Sequence, residues 1–323
     1  MPMKKEVTKR ITLPAEWEEQ EFVQLTWPHE KTDWAPMLDE ITATYIEMAQ
    51  AISAREKLLI VAPDVEKVKR LLAEHLTTQQ MSNVVYHQCP TNDTWARDHA
   101  FLTLSDGTLL DFCFNGWGEK FEASLDNAIN RSLYSSLFTE KNSSLFTLHS
   151  SLYESHLDFV LEGGSIESDG KGTIYTTRCC LLAPHRNQPL TEQQIEQELK
   201  RRLRADRIVW LDDEPLPGDD TDGHIDTLAR ILPDGTLLRM PLPDPIFDED
   251  GTQLPATYAN YLIINGAVLV PTYGQPANDE KAIQRIQEAF PDREMIPIDS
   301  RSIIRQHGSI HCCTMQYPKI IEN

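Results

Sequence analysis

The chain has 323 residues, of which 40% are hydrophobic and 25% are charged, and its formal net charge is −20. This composition permits a large buried core and excludes global disorder. The negative charge argues against a nucleic-acid partner and raises the local concentration of small cations, although a solubilising surface is the simpler explanation of the charge taken alone. No apolar run reaches the roughly 18 residues that a membrane span needs, and no signal-peptide core follows MPMKKEVTKR. We predict a cytoplasmic protein with no membrane partner.

Helical and extended patterns alternate along the chain. Apolar spacing predicts a helix over 36–54, a strand over 58–62, a helix over 64–76 and a strand over 84–87. Thr191 is the predicted N-cap of a helix that precedes a strand over 208–211. A further helix around 282–290 precedes a short apolar run over 295–298. Pro297 interrupts this run, which predicts an edge strand or a bulge.

Three of these strands lead into polar loops that are dense in ionisable side chains. The loops read CPTNDTWARD, DDEPLPGDDTDGHID and DSRSIIRQHGSIHC. Each time, a helix and a strand are followed by a polar loop, and this recurring order predicts a weak, divergent structural repeat. The equivalent loops of the repeat are expected to build one site at a common centre. No break in composition marks a linker, so we predict a single domain over residues 1–323.

The segment GSIHCC at 308–313 allows three interpretations: a metal site, a reactive thiol, or small buried hydrophobes. Its spacing matches no zinc pattern, so we expect no metal here. A nucleophilic thiol needs a neighbouring base, and His311 is expected to point to the opposite side of the chain from Cys312. His224 is the natural candidate for that base. The remaining cysteine pair, Cys179 and Cys180, is expected to be reduced.

The segment DDTDGHID at 219–226 places a histidine beside carboxylates. On an extended segment His224 and Asp226 would share one face, suited to a divalent cation or to a cationic organic substrate. A solvated acidic loop with a hydrogen-bonded histidine is the alternative.

Two further acidic residues are candidates for the same site. Glu162 follows an apolar run in LEGGS, so it should lie at the end of a buried strand, where a carboxylate is costly unless paired. An exposed surface turn is the alternative. Asp98 follows Trp95 and Arg97 in WARD, and a structural ion pair is the alternative for its role.

Taken together, these stretches resemble the agmatine deiminase family, which belongs to the guanidine-modifying pentein superfamily and is related to bacterial peptidylarginine deiminases. The resemblance rests on LPAEWEEQEFVQLTWPH at 13–29, TWARD, FNGWGEK at 114–120, LEGGSIESDGKGTIYTT at 161–177, GDDTDGHIDTLAR at 218–230 and IHCCTMQYP at 310–318. These motifs occur in the order that the family shows, over most of the chain.

The resemblance implies a role for each matching position. Cys312 would be the nucleophile, His224 the general acid and base, and Glu162 the acid that works with the histidine. Asp98 and Asp226 would bind the guanidinium group. The implied contacts to the rest of the substrate are Asp220, Trp117 and Trp95, although Trp117 could equally be core packing beside Phe114. Cys313 stands where the family has an apolar residue and is expected to pack.

The sequence departs from the family at positions that flank the site. His99, Ala100 and Phe101 stand where relatives often have a Gly-Pro turn, Arg178 where many have an acid, and Ala183 where asparagine is usual. The sequence leaves open whether Arg178 points toward the site.

The implied fold is a pentein α/β propeller of five ββαβ modules with pseudo-fivefold symmetry around a central active site. The implied reaction is hydrolysis of agmatine to N-carbamoylputrescine and ammonia through a covalent cysteine intermediate, without cofactor or metal. The small cationic guanidino substrate could instead be free or peptidyl arginine, and a catalytically inactive pentein that serves as a binding protein is a further alternative. A homodimer is among the open oligomeric states.

Overall fold

The computed structural model describes residues 10–138 and 152–320, which form an α/β structure of short open sheets. The strands are β1 Gln20–Thr26, β2 Lys57–Ala62, β3 Val84–Gln88, β4 Leu102–Thr103, β5 Leu109–Cys113, β6 Tyr153–Val160, β7 Ile166–Ser168, β8 Thr173–Thr177, β9 Arg207–Leu211, β10 Arg230–Ile231, β11 Leu237–Leu238, β12 Ile246–Phe247, β13 Gln253–Leu254, β14 Leu262–Ile264, β15 Ala267–Thr272, β16 Glu294–Asp299 and β17 Thr314–Pro318.

The longer helices are Leu38–Ser53, Val65–Ala73, Ile129–Ser136, Glu192–Arg202 and Pro276–Ala289. Short helical segments span Thr78–Ser82, Ala96–His99, Arg178–Leu181 and Ile225–Leu228. Single 3-10 turns span Ala35–Met37, Asp126–Ala128, Gly163–Ser165 and Ile303–Gln306. The short segments matter most for function, because several of them carry the polar residues that the sequence motifs single out.

Four sheets share one arrangement: an antiparallel strand pair, a helix, and a third strand that pairs in parallel with the second. The arrangement occurs as β4-β5-β6, β7-β8-β9 and β14-β15-β16, and as β17-β1-β2, which β3 extends by one parallel strand. The helix between the two parallel strands follows the usual need for a long crossover connection. The remaining described strands form the hairpins β10-β11 and β12-β13, and none of the described sheets closes on itself.

The predicted helices and strands are confirmed, with ends that differ by a few residues. Thr191 caps the helix Glu192–Arg202 through a reciprocal capping box with Gln194, which satisfies two backbone donors at the helix start. Pro297 lies in β16, and β16 is an edge strand, as the missing N–H of proline requires.

The hydrophobic interior brings the two ends of the described chain together. Strand β17 pairs with β1, so that the segment around Cys312 enters the same apolar cluster as Trp95 and Trp117. Burial of these side chains fixes the segments that carry the predicted site residues. All six cysteines are free thiols. No described helix has both the length and the apolar character needed to cross a membrane.

Candidate active site

Five of the predicted residues line one pocket of about 130 Å³. They are Trp95, Asp98, Trp117, Asp220 and Cys312. The other three, Glu162, His224 and Asp226, are fully buried directly behind the pocket wall. The structure therefore brings all of the predicted site residues into one region, although they come from separate loops.

Cys312 lies at the inner end of this pocket and is only 4% exposed. Its Sγ lies 3.4 Å from Asn260 Oδ1 and 3.8 Å from Asp226 Oδ2, and its backbone N–H donates to the same Asn260 oxygen over 3.2 Å. Burial, and then the negative charges of Asp226 and Asp98, raise the pKa of the Cys312 thiol well above its ordinary value. The free site therefore holds a protonated thiol at neutral pH.

Asp226 has one bonded and one free carboxylate oxygen. Its Oδ2 is 2.7 Å from His311 Nδ1, whereas its buried Oδ1 has no hydrogen-bond partner among the described residues. Burial alone would raise the pKa of Asp226, but the hydrogen bond and charge of His311 outweigh it and lower the pKa below its ordinary value. An ionised, buried oxygen without a donor is costly, so it marks a place where a ligand can donate.

Asp98 is held by two neutral donors. Gly164 N–H donates to Oδ1 over 3.0 Å, and Trp117 Nε1–H donates to Oδ2 over 2.9 Å. Burial raises the pKa of Asp98 to about 6, an effect that the His224 charge and the Trp117 bond reduce. Arg97, its chain neighbour, points the other way and pairs with Glu16 over 3.1 Å. Arg97 is therefore not an ion-pair partner of Asp98, and the basic group beside Asp98 is His224, with 3.6 Å between Nδ1 and Oδ1.

His224 is fully buried beside Asp98, with 3.6 Å between Nδ1 and Asp98 Oδ1. Neither ring nitrogen has a hydrogen-bond partner among the described residues. Burial opposes a charge on this ring, but the charge of Asp98 together with the neighbouring Cys180 and Glu162 outweighs burial and raises the pKa of His224 well above its ordinary value. His224 is thus a protonated imidazole that can give a proton to a bound molecule.

The segment around His224 is not extended, contrary to the sequence prediction. Ile225–Leu228 forms a helical turn, and His224 is its N-cap residue with extended backbone angles. The two side chains still converge, because a Cβ placed on Gly164 would lie 2.7 Å from His224 Nδ1 and 3.1 Å from Asp226 Oδ2. The convergence comes from the fold around Gly164 and not from alternation along a strand.

Glu162 lies at the end of β6 and is completely buried, which excludes the alternative of an exposed turn. Arg186 Nε donates to its two carboxylate oxygens over 3.0 and 3.4 Å. The polar atoms of Glu162, Cys180 and His224 lie within 4.8 Å of one another, but no hydrogen bond joins Glu162 to His224 among the described residues. Because Arg186 already neutralises Glu162, this cluster is poorly suited to a metal cation.

The two arginines that flank the site point in opposite directions. Arg186 points inward and also pairs with Asp222 over 2.6 Å. Arg178 points outward, where it pairs with Glu192 over 3.0 Å and with Asp212 over 2.7 Å. Arg178 is therefore not a substrate contact from this position, and the departure from the family at residue 178 lies on the surface.

The tryptophans form one wall of the pocket. Trp95 donates from Nε1 to Asp93 Oδ2 over 2.9 Å, and its ring centroid is 6.4 Å from that of Trp117. Trp117 packs edge-on against Phe114 and also bonds Asp98, so it serves both packing and the site. It lies in Gly116–Glu119, where four consecutive residues have positive φ. This left-handed turn is costly for a bulky residue and aims the indole N–H at Asp98.

The other cysteines have structural surroundings. Cys313 is fully buried in the apolar cluster, as expected for packing. Cys179 Sγ contacts the backbone oxygen of Asp213 over 3.2 Å. Sequence reasoning missed Asn260 and the contact of Cys180 with His224, because both depend on residues that are far apart in the chain.

Comparison with known proteins places these observations in one family. The model of the Porphyromonas-type peptidyl-arginine deiminase family matches residues 12–240 and 235–318. A substrate-bound C. jejuni agmatine deiminase is 35% identical, with 97% of each chain covered and a TM-score of 0.86. A Porphyromonas gingivalis protein assigned provisionally as an arginine deiminase is 42% identical, with 96% of this chain and 98% of that chain covered and a TM-score of 0.84.

More distant relatives agree in sequence and in fold. The agmatine deiminase of Pseudomonas syringae pv. tomato is 29% identical over 95% of both chains. A dimethylarginine dimethylaminohydrolase from Pseudomonas aeruginosa is 13% identical, covers 93% of this chain and all of its own, and has a TM-score of 0.50, which bears on the fold alone. The fold is of the pentein α/β class, and the chain belongs to the Porphyromonas-type peptidyl-arginine deiminase family.

Proposed function

We propose that the chain is an agmatine deiminase, which hydrolyses agmatine to N-carbamoylputrescine and ammonia. The observation that carries the choice of substrate is the charge of the pocket lining. It includes Asp33, Asp93, Asp98 and Asp220 and, within the described part of the chain, no lysine or arginine. Such a lining attracts both the guanidinium and the ammonium of agmatine, whereas the α-carboxylate of arginine would meet four aspartates and no lysine or arginine among the described lining residues.

The guanidinium group would lie between Asp98 and Asp226. A planar guanidinium presents pairs of N–H donors, and a carboxylate on each side fixes its plane and orientation. The free Oδ1 of Asp226 is the acceptor that awaits such a donor. Orientation of the central carbon toward Cys312 supplies part of the rate enhancement.

The bound cation also activates the nucleophile. The charges of Asp98 and Asp226 contribute to the raised pKa of Cys312, so a guanidinium placed between them lowers that pKa and releases the thiol proton to solvent. The Cys312 thiolate then attacks the guanidinium carbon, which forms the C–S bond of a tetrahedral adduct.

His224 moves the protons of the following steps. Its imidazolium gives a proton to the departing nitrogen, the C–N bond breaks, and ammonia leaves a cysteine-bound amidino intermediate. The neutral His224 then takes a proton from water, which attacks the same carbon. Cleavage of the C–S bond yields the ureido product, with the last proton on Cys312. Glu162 with Arg186 would hold the ring from behind, and no cofactor or metal enters these steps.

The far end of the substrate would meet Asp220 and the indoles of Trp95 and Trp117. Asp220 is half-buried at the pocket, and Lys120 donates to its backbone oxygen over 2.6 Å rather than to its side chain. Its carboxylate is therefore available to the ammonium group, with the indole faces beside it.

We also propose the finer architecture that the family resemblance implies. The four similar sheets and the region of the two hairpins β10-β11 and β12-β13 would be five modules around the site, with pseudo-fivefold symmetry, in one domain over residues 1–323. Four repeated strand orders support this arrangement. The cytoplasmic location and the homodimer remain predictions.

Replacement of Cys312 tests the proposed function directly. Wild-type protein should release ammonia and the ureido product from agmatine and far less from free arginine, and Cys312→Ala should reduce turnover to background, because the nucleophile is lost. Cys313→Ala is the matched control: it removes the adjacent buried thiol, which only packs, and should keep most of the activity. Turnover of arginine alone, or activity in Cys312→Ala, would contradict the proposal.

The pH dependence of kcat/KM should have an acidic limb set by Asp98. This carboxyl must be ionised to bind the cation, so kcat/KM should fall as the pH drops through about 6, the raised pKa of Asp98. Trp117→Phe removes a donor that favours the ionised carboxylate, and should therefore move the limb to higher pH. Trp210→Phe, on β9, should leave it in place. A limb that does not move in Trp117→Phe would refute this assignment.

Gly164→Ala should block the site without unfolding the protein. The added Cβ would lie 2.7 Å from His224 Nδ1 and 2.9 Å from Asp98 Oδ1, so these groups must separate. A displacement of this size should lower kcat/KM by about 100-fold. Gly251→Ala is the control, since its Cβ meets nothing within 4 Å and only its φ of 85° is unfavourable. It should lose some stability and no activity, whereas an active Gly164→Ala would exclude the proposed convergence.

A further inference from the structure

His311 precedes the proposed nucleophile in the chain and is completely buried. Its Nδ1 lies 2.7 Å from Asp226 Oδ2, and its Nε2 lies 2.7 Å from Glu16 Oε1. The ring thus points away from Cys312, as the sequence predicts. It bridges Asp226, which faces the proposed guanidinium position, to Glu16, which lies behind the site. The mechanism outlined above assigns His311 no role.

Each end of this bridge meets a carboxylate. Burial opposes ionisation of Glu16 and Asp226, but the neighbouring basic groups, with His311 foremost, lower the pKa of both carboxyls. An ionised carboxylate can only accept hydrogen bonds. The two ring nitrogens of His311 therefore lie where they can donate, Nδ1 to Asp226 and Nε2 to Glu16.

Acidic and basic side chains surround the His311 ring. Arg230 pairs with Glu16 and with Glu167, each over 2.5 Å, and its Nη2 lies 3.3 Å from His311 Nε2. Arg97 pairs with Glu16 over 3.1 Å. Asp226 in turn faces His224, Asp98, Arg230 and the Cys312 thiol. Three carboxylates thus meet two arginines and the His311 ring behind the pocket, and loss of the ring would remove a hydrogen-bond partner from Glu16 and from Asp226.

The bridge restricts the orientation of the Asp226 carboxylate. Because Oδ2 is hydrogen-bonded to His311, the Asp226 carboxylate cannot rotate unless the surrounding side chains also move. Its Oδ1, which has no partner among the described residues, remains for the substrate. Asp126 gives the contrast within the same protein: it is buried with backbone N–H donors but with no bonded basic side chain in the described part of the chain, and burial, with the charge of Asp93, raises its pKa to about 8. The two buried carboxyls thus differ both in their bonded partners and in the direction of their pKa shifts.

We propose that His311 is a positioning residue: by bridging Glu16 and Asp226 it keeps Asp226 ionised and directs the free Oδ1 of Asp226 toward the guanidinium of the substrate. This inference rests on the proposed function, since it concerns capture of the same cation. His311 does not touch the substrate and acts only through Asp226. Its removal should consequently affect substrate binding and the pH range of activity more than the chemical step.

Two neutral replacements, His311→Asn and His311→Gln, each keep one of the two hydrogen bonds of the ring and cannot carry a charge. The amide of His311→Asn occupies the place of Nδ1 and can still donate to Asp226, whereas that of His311→Gln reaches toward Glu16. We would measure kcat and KM for agmatine from pH 5 to 9 in both variants and in wild type. His87→Asn is the matched control, because it removes a buried histidine whose partners are Ser132 and Ser136. Urea unfolding would establish that each variant is folded.

The expected result is an acidic limb that lies about one pH unit or more higher in both His311 variants, because the pKa of Asp226 without its partner should rise above that of Asp98, as the pKa of about 8 for the buried Asp126 illustrates. At pH 7 kcat/KM should fall by about tenfold or more, chiefly through KM, with the larger loss in His311→Gln. His87→Asn should keep the wild-type limb.

Other outcomes would overturn the inference. An unmoved limb in folded, active His311 variants would leave His311 without a positioning role, and failure of both variants to fold would make its role structural. Wild-type protein that does not turn over agmatine would refute the proposed function itself, and with it this inference, so the two failures are distinguishable.

Discussion

The structure depends on one electrostatic constraint: Asp98 and Asp226 are buried near the Cys312 thiol, whose pKa their charges raise, and no lysine or arginine lines the pocket in the described chain. Two buried carboxylates in one site are costly unless a cation or several donors compensate them. His311 compensates Asp226 from behind, and the donors from Gly164 and Trp117 partly compensate Asp98. The Oδ1 of Asp226 still lacks a hydrogen-bond donor among the described residues, at the place where the guanidinium would lie.

The sequence predicts helices and strands well where their apolar residues recur with a simple period. The helix after Thr191 and the edge position of Pro297 follow from local rules of capping and of missing donors. The identities of Cys312, His224 and Asp98 as candidates came from motifs, and the family resemblance assigned their roles. The structure adds that all of them lie in one region.

The remaining features could not be predicted because they depend on distant pairs or on unusual backbone. His311 and Glu16 are 295 positions apart, and no local pattern indicates that they meet. The inward direction of Arg186 and the outward direction of Arg178 likewise depend on partners from other loops. The expectation of an extended segment at His224 was wrong because a helical turn begins there, so that the glycine of a different loop, Gly164, sets the distance between the two side chains.

The most direct test of this account asks whether the site recognises the charge of its ligand. The Cys312→Ala variant lacks the proposed nucleophile and should not hydrolyse agmatine. With this variant, calorimetry would compare the binding of agmatine with that of N-carbamoylputrescine, whose ureido group is a planar, neutral isostere of the guanidinium on the same ammonium chain. Loss of one partner of a buried charge pair costs several kcal/mol, so agmatine should bind about 100-fold more tightly or better. Equal affinities would contradict the claim that the buried carboxylates await a cation.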